Sequence, residues 1–257
     1  MAIEKTDAIV IRVVEFSESS CVVTLFTQDF GKIAAMAKGA RRPKSAFESA
    51  IDLLTTSRIL FLHKSSDSLD LLTEAKVQRR FRASDSSLPH LYAGYYVAEL
   101  LASLTDLGDP HTDLYDLAQD TICRLDDMQN PATVMARFEL NALRFLGLLP
   151  TLDHCSSCGL EVSESRRIPF GQITGGILCQ GCRRGQAQVV SVTWPVIVGM
   201  RQLVAADVGL SADLPEISTT VNGELRGLMN NYMSHLLGKR PRMIPFLGML
   251  VQPSVCS

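Results

Sequence analysis

The sequence predicts an α+β protein in which strands come first and a helical region follows, with a cluster of four cysteines inserted into the helical region. Three observations predict this fold class. Residues 7–75 contain five short apolar segments, often β-branched, separated by polar or glycine-containing turns. From Arg82 onward, apolar residues recur at helical spacing. Residues 155–182 hold two Cys-x-x-Cys pairs with twenty residues between them.

The five strand segments favour a small barrel or a sandwich. Most of the turns between these segments are short, so strands that follow one another in the sequence can pair with each other. One of them, AIVIRVV, is apolar on both faces, as expected where a small barrel packs on a neighbouring domain. We assign residues 1–80 to this first domain. The five segments are DAIVIRVVEF, SCVVTLFT, GKIAAMAKG, TSRILFLH and DSLDLLTEA.

The helical region is predicted from apolar spacing and from residues typical of helix ends. Asn130 suits an N-cap, and Pro131 suits the first helical position. Because helices precede and follow the cysteines, we predict one helical domain, 81–150 and 187–250, interrupted by a module at 151–186. The helical segments are LPHLYAGYYVAELLASLTDL, TDLYDLAQDTICRLDDM, NPATVMARFELNALRFLGLLP, SVTWPVIVGMRQLVAADVG and STTVNGELRGLMNNYMSHLLGK.

The composition is that of a folded globular chain. Of the 257 residues, 46% are hydrophobic and 20% are charged, and the formal net charge is −2. The N-terminal residues lack the pattern of a secretory signal, and no apolar run approaches the roughly 18 residues of a membrane helix. We therefore expect a cytoplasmic protein. The net charge argues weakly against a nucleic-acid partner, although local patches matter more than the total.

The cysteine pairs predict a structural zinc site formed by Cys155, Cys158, Cys179 and Cys182. Thiolate is the ligand that zinc prefers in structural sites, and four thiolates close a tetrahedral coordination sphere. Gly159 and Gly181 suit the tight turns of two zinc knuckles. A segment this small has little core, so metal binding would supply its folding free energy.

Other roles for these thiols are less consistent with the sequence. A redox Cys-x-x-C pair normally comes singly, near a βαβ pattern that this chain lacks. A catalytic zinc needs an open coordination position, which four thiolates do not leave. Plain buried thiols are the remaining alternative. Cys21, Cys123 and Cys256 stand apart from the cluster, and we expect them to be packing residues.

The basic segment GKIAAMAKGARRPKS runs from the third predicted strand into the loop that follows it, and it carries five cations with no acidic residue among them. Cations on a loop at the edge of a small barrel suit contact with nucleic-acid phosphates. A solvated loop is the plain alternative. We predict DNA contacts for Lys32, Lys38, Arg41, Arg42 and Lys44.

A second basic cluster lies at the exit from the same domain. Arg79 and Arg80, with Lys76 and Arg82 beside them, could extend the surface, and we include the first two among the predicted DNA contacts. Two aromatic residues near the basic segments, Phe47 and Phe81, could stack on bases or belong to the core.

No catalytic signature is present in the sequence. We find no Walker loop, G-x-S-x-G elbow, H-E-x-x-H motif or paired-carboxylate signature, and the five histidines form no ligand spacing. We therefore predict a binding module rather than an enzyme. Two alternatives stay open: a metal-dependent nuclease that uses the cysteine cluster, and a zinc-ribbon adaptor that contacts protein but not DNA.

The motifs together resemble the bacterial recombination mediator family RecO. The resemblance covers residues 5–248 and rests on TLFTQDFGKIAAMAKGARRPKSAF, YYVAELL, RFELNALRFLGLLPTLDHCSSCG and GGILCQGC, in this order. It implies an N-terminal five-stranded barrel of the oligonucleotide/oligosaccharide-binding (OB) type, a helical body and a zinc module within that body.

The resemblance also implies a function and partners. Members of the family bind single- and double-stranded DNA and anneal complementary strands. They help to load the recombinase RecA onto single strands coated by single-stranded DNA-binding protein. They act with RecR and, in many bacteria, RecF, in the cytoplasm at the nucleoid. The four cysteines match the family's full zinc motif, and Lys38, Arg41, Arg42 and Lys44 match its DNA-contacting turn. The tail of single-stranded DNA-binding protein would bind the helical body, where Arg201 is our only candidate.

Overall fold

The computed structural model describes residues 2–42, 45, 47, 49–64, 68–206 and 213–251. Its contacts divide the chain into two compact units, Met1–Met128 and Gln129–Ser257. The boundary falls inside the predicted helical domain, because the first two helices belong to the N-terminal unit. The division into three parts made from the sequence stays a prediction.

The N-terminal unit contains five strands among its described residues, and their pairings form a closed barrel. The order around the barrel is β1-β2-β3-β5-β4, with β4 returning to β1. All neighbours are antiparallel except β3 and β5, which are parallel. The strands are β1 (Ala2–Glu15), β2 (Cys21–Thr27), β3 (Gly31–Ala37), β4 (Thr56–His63) and β5 (Asp70–Arg79).

The length of β1 allows the barrel to close. Its first half pairs with β4 and its second half with β2, and the register shifts between Val10 and Arg12. A bulge of this kind bends a strand and increases its twist. One long strand can therefore pair with β4 along one edge and with β2 along the other.

The barrel interior follows the two-residue period of its strands. In β3, Ile33, Ala35 and Ala37 are buried and alternate with half-buried residues. Phe47 belongs to the same core although it lies in the segment between β3 and β4. Small alanines on one strand leave space for phenylalanine rings such as Phe61 from another.

Two helices complete the N-terminal unit: α1 (Leu88–Leu104) and α2 (Thr112–Asp126). Helix α1 packs on β1 and on α2. Position 94 of this helix requires glycine, because the side chains of Leu54 and Phe81 fill the space beside it. A Cβ on Gly94 would be 2.7 Å from Leu54 and 2.9 Å from Phe81. Phe81 is thus a residue that packs against α1.

The C-terminal unit combines helices with a three-stranded sheet of order β7-β6-β8. Helix α3 packs against both α5 and α6. Among the described helices, none combines the length and the apolar character needed to cross a lipid bilayer. The elements are α3 (Pro131–Phe145), β6 (Arg167–Gly171), β7 (Gly176–Ile177), α4 (Gln180–Arg183), β8 (Val189–Thr193), α5 (Trp194–Ala205), α6 (Thr219–Leu236) and a 3-10 helix (Ile244–Val251).

Helix α3 is the centre of the C-terminal unit. Asn130 caps it as predicted, since its side chain accepts hydrogen bonds from the backbone N–H groups of Ala132 and Thr133. Glu139 is 0% exposed and forms an ion pair with Arg226 of α6. Such a pair fixes how two helices face each other, because burying either charge alone is costly.

Candidate nucleic-acid surface and metal centre

The segment after β3 is held against the hairpin that joins β1 and β2. The backbone N–H of Arg41 donates to the carbonyl of Ser19 at 3.1 Å, and the N–H of Gly39 donates to Ser20 Oγ at 3.3 Å. Within the segment, the N–H of Arg42 donates to the Gly39 carbonyl at 3.1 Å and closes a turn. These bonds fix the backbone, so the side chains of the turn are presented from a defined position.

Three predicted DNA contacts of this turn have exposed side chains, namely Lys38, Arg41 and Arg42. Arg41 Nη1 lies 3.0 Å from Glu15 Oε2, with side-chain exposures of 43% and 73%. An ion pair this exposed is weak and is screened by salt, so it does not hold Arg41 away from a phosphate. Within the described residues, Lys38 and Arg42 form no ion pair. Lys44, the fourth predicted contact here, lies outside the described residues.

Lys32 has a different environment from the other predicted DNA contacts. Its Nζ donates to the carbonyl of Ala102 at 2.7 Å and to the carbonyl of Thr105, at the C-terminal end of α1. Burial lowers the pKa of this ammonium group, and Asp106 partly opposes that shift. A cation at a helix C-terminus satisfies free carbonyls and complements the helix dipole. We therefore assign Lys32 to the fold and leave it out of the proposed DNA surface.

Arg79 and Arg80 lie at the end of β5, beside an open cavity of about 580 Å³ that Asp126 and Asp127 also line. Arg79 Nη2 is 3.1 Å from Asp126 Oδ2. Asp126 Oδ1 also accepts backbone hydrogen bonds from the start of the 3-10 turn that follows Arg82. The charge of Arg79 is thus partly neutralised, whereas Arg80 is exposed.

The strand register separates the two basic clusters. In the parallel β3–β5 pair, Ala37 lies opposite Leu72, so Arg79 is seven residues further along β5. At about 3.3 Å per residue, the separation along the strand is roughly 20 Å. Arg79 therefore does not lie beside the end of β3, and a nucleic-acid segment several nucleotides long could contact both clusters.

The two aromatic residues that the sequence left open between base stacking and the core are both packing residues. Phe47 lies in the barrel core, and Phe81 packs on Gly94. The exposed ring near the basic turn belongs to Phe16, which was not among the predicted residues. It stands between an apolar strand and the polar turn SESS, and an aromatic residue at the border of a polar turn is a signal that could have identified it.

The four predicted cysteines come together in the C-terminal unit. One ligand atom from each lies within 4.8 Å of all the others. In a tetrahedral site with Zn–S bonds of about 2.3 Å, sulfurs lie about 3.8 Å apart. The Sγ atoms of Cys158 and Cys179 are 3.8 Å apart. The donor set therefore fits a closed four-thiolate metal site.

The first knuckle is a tight turn closed by backbone hydrogen bonds. The N–H of Cys155 donates to the carbonyl of Leu160 at 2.7 Å, and the N–H of Gly159 donates to the carbonyl of Cys155 at 2.8 Å. Gly159 has a φ of +73°, a conformation that glycine adopts at little cost. The sequence-based reason for Gly159 is thus confirmed, whereas Gly181 lies in the short helix α4.

The second knuckle follows the β6–β7 hairpin. Cys179 precedes α4, and the N–H of Arg183 donates to its carbonyl at 3.1 Å. A hydrogen bond of 2.9 Å from the N–H of Ser156 to the carbonyl of Ile177 connects the two knuckles. Gly176 is required nearby, because a Cβ there would lie 2.5 Å from the Thr151 carbonyl oxygen. Backbone hydrogen bonds therefore help to bring the two cysteine pairs together.

The thiols differ in their acidity. Burial raises the pKa of Cys155, but backbone N–H groups, foremost that of Cys179, outweigh this and lower it to about 6. Hydrogen bonds with the side chains of Cys158 and Cys179 raise the pKa of Cys182 to about 12. Four close sulfurs cannot all carry a negative charge unless a cation compensates them. A divalent metal would do so and release the remaining protons.

Arg201, our candidate for a partner contact, lies on α5. Its guanidinium stacks 5.1 Å from the centre of the Trp194 ring and donates to the carbonyl of Leu152 at 2.6 Å. Asp153 Oδ1 is 3.0 Å from its Nε. These contacts hold the side chain in place, and its role in binding a partner stays a prediction.

Two family models together match most of the chain and divide it between residues 81 and 86. The model "Recombination protein O N terminal" matches residues 1–81, and "Recombination protein O C terminal" matches residues 86–243. A DNA repair protein RecO from Rhodopirellula baltica is 38% identical to this chain, covering 93% of the chain and 97% of the relative. A DNA repair protein RecO from Myxococcus xanthus is 31% identical, covering 94% and 96%.

These matches place the chain in a class of DNA recombination and repair proteins. The chain belongs to the RecO family, and the resemblance predicted from its motifs is confirmed. RecO homologues indicate a role in DNA repair and recombination.

Proposed function

We propose that this chain is a non-enzymatic recombination mediator that binds DNA through the basic turn of its barrel and anneals complementary strands. The observation that carries the proposal is the turn itself. Lys38, Arg41 and Arg42 are exposed on a backbone that hydrogen bonds hold in place. Because this backbone is already ordered, binding phosphates costs less conformational entropy than it would if a free loop had to be ordered.

The barrel supports the same function. Its five strands and their order, with one parallel pair and a long bulged first strand, are consistent with an OB-type barrel. Barrels of that type bind oligonucleotides through their faces and loops. Arg80 extends the proposed surface, and Arg79 contributes less because Asp126 partly neutralises it.

The mechanism needs no covalent chemistry. Two DNA strands repel each other, and a shared cationic surface lowers that repulsion by neutralising phosphates. Complementary bases can then pair without nucleotide hydrolysis. The residues of the turn bind the DNA strands and take part in no chemical reaction.

The cysteine cluster would serve this function indirectly. Cys155, Cys158, Cys179 and Cys182 would hold a zinc ion, which supplies folding free energy to the small module around β6–β8. Four thiolates leave no open coordination position, so the ion would be structural.

The partners and location of the chain follow from its family and are also proposals. We propose that it acts in the cytoplasm at the nucleoid on single- and double-stranded DNA. There it would work with RecR and, where present, RecF. It would also bind the tail of single-stranded DNA-binding protein through the C-terminal unit and help to load RecA.

Strand annealing without nucleotide tests the proposal. Purified protein is mixed with complementary oligonucleotides labelled with a fluorophore and a quencher, at low and at high salt. We expect annealing that is faster than the spontaneous rate at low salt and that disappears at high salt. No acceleration and no DNA binding at low salt would refute the proposal and favour a zinc-ribbon adaptor. Cleavage of DNA that stops when the metal is removed would instead indicate a nuclease.

A further inference from the structure

The side chain of Phe16 is 67% exposed at the end of β1, although other aromatic rings of the N-terminal unit, such as Phe26 and Phe61, are buried. A single exposed apolar side chain is common on protein surfaces and by itself shows nothing. Its surroundings are what give this ring a candidate function.

Phe16 lines an open cavity of about 320 Å³ together with Met36, Lys38 and Arg42. The phenyl ring and the thioether provide apolar surface, and the two cations lie at the same opening. A nucleotide has the matching chemistry, because its base is a flat apolar surface and its phosphate is an anion. A base can stack on the ring while cations contact the adjoining phosphates.

The backbone that carries the ring is also held in place. The N–H of Phe16 donates to the carbonyl of Ser20 at 3.0 Å, and the N–H of Ser20 donates to Ser17 Oγ at 3.2 Å. The hairpin is joined to the basic turn through the bond from the Arg41 N–H to the Ser19 carbonyl. The ring and the cations therefore belong to one hydrogen-bonded unit, which lowers the entropy lost on binding.

We propose that Phe16 stacks on an unpaired base of single-stranded nucleic acid while Lys38 and Arg42 contact its phosphates. The inference rests on the proposed function, because it takes nucleic acid as the ligand of the same surface. In a duplex both faces of an internal base are already stacked, so the ring gains this contact only from a single strand. The site therefore gives the chain a preference for single strands over duplexes.

The test compares an oligothymidine with an abasic oligonucleotide of equal length, which carries the same phosphates but no bases. Binding to each is measured by fluorescence anisotropy for the wild type and for Phe16→Ala, Phe16→Leu and Phe16→Tyr. Stacking contributes about 1–3 kcal/mol per base, so Phe16→Ala should bind oligothymidine about 5- to 150-fold more weakly. Phe16→Leu should lose nearly as much and Phe16→Tyr little, and all four proteins should bind the abasic chain equally.

A spectroscopic measurement reports the contact directly. The chain has one tryptophan, Trp194, so Phe16→Trp adds a second indole at the proposed site. Stacking should quench the added fluorescence with oligothymidine but not with the abasic chain. The wild type measures the contribution of Trp194.

The outcomes separate this inference from the function on which it rests. Phe16→Ala binding oligothymidine as tightly as the wild type overturns the inference alone. Equal weakening on both oligonucleotides overturns it too, and so does Phe16→Leu binding like the wild type, because the contact would then be apolar rather than stacking. A wild type that binds neither oligonucleotide at low salt overturns the proposed function together with the inference.

Discussion

Removing two cations from the basic turn should change how DNA binding depends on salt. Lys38 and Arg42 are the side chains to replace, because they are exposed and form no ion pair within the described residues. The variant Lys38→Ala/Arg42→Ala leaves Arg41 and its partner Glu15 in place. The hydrogen bonds that hold the turn come from backbone groups, so the backbone should be unaffected.

The magnitude follows from counterion release. Each phosphate neutralised on a single strand contributes about 0.7 to the slope of log affinity against log salt. Losing two contacts should therefore reduce the steepness of the slope by about 1.4. If the contacts are electrostatic and vanish near 1 M salt, the double variant binds about 25-fold more weakly at about 0.1 M salt.

The assay is fluorescence anisotropy with a labelled single strand, at several salt concentrations between about 0.05 and 0.2 M. The matched control is Lys5→Ala/Arg184→Ala, which removes one exposed lysine and one exposed arginine elsewhere. Both double variants change the net charge equally, so the control measures the general effect of charge. A slope that falls equally in both variants, or in neither, would refute the assignment of the turn.

Three further predictions follow from the same contacts. Glu15→Gln frees Arg41 from its carboxylate partner and should tighten DNA binding about two- to fivefold at low salt, measured by anisotropy; weaker binding would contradict this view of the pair. Lys32→Met removes the donor to two carbonyls at the end of α1 and should lower the free energy of unfolding by about 1–2 kcal/mol in urea titration, with an unchanged salt slope. The proposed zinc site predicts that elemental analysis finds zinc in the wild type and in Cys123→Ser but not in Cys155→Ser, and that Cys155→Ser unfolds at a lower temperature.

The parts of this structure that depend on local sequence could be predicted. The alternation of buried and half-buried residues in β3 is visible in GKIAAMA, and the capping residue Asn130 is confirmed. The cysteine cluster was predictable because the type of residue and the spacing within each Cys-x-x-Cys pair together indicate a metal site. The two cysteines of each pair are also close in sequence. Periodicity, caps and knuckles all involve residues close in sequence.

The parts that depend on distant contacts could not be predicted. The strand pattern alone left open whether the strands form a barrel or a sandwich, and the barrel was expected only from the family resemblance. Closure depends on β1 pairing with both β2 and β4. The first residues of β1 were missed because Glu4 and Lys5 interrupt the apolar pattern there, although they pair with β4. Periodicity likewise does not indicate which compact unit a helix packs on, and α1 and α2 lie in the N-terminal unit.

The basic residues show why composition alone cannot locate a DNA-binding surface. A lysine or arginine is available to a phosphate only as far as the protein leaves its charge uncompensated. Lys32 donates to two carbonyls, and Arg79 faces a buried carboxylate. Arg41 faces an exposed carboxylate that salt screens, and Lys38 and Arg42 have no ion-pair partner within the described residues. The expected contribution to DNA binding rises in that order, which residue type and spacing do not reveal.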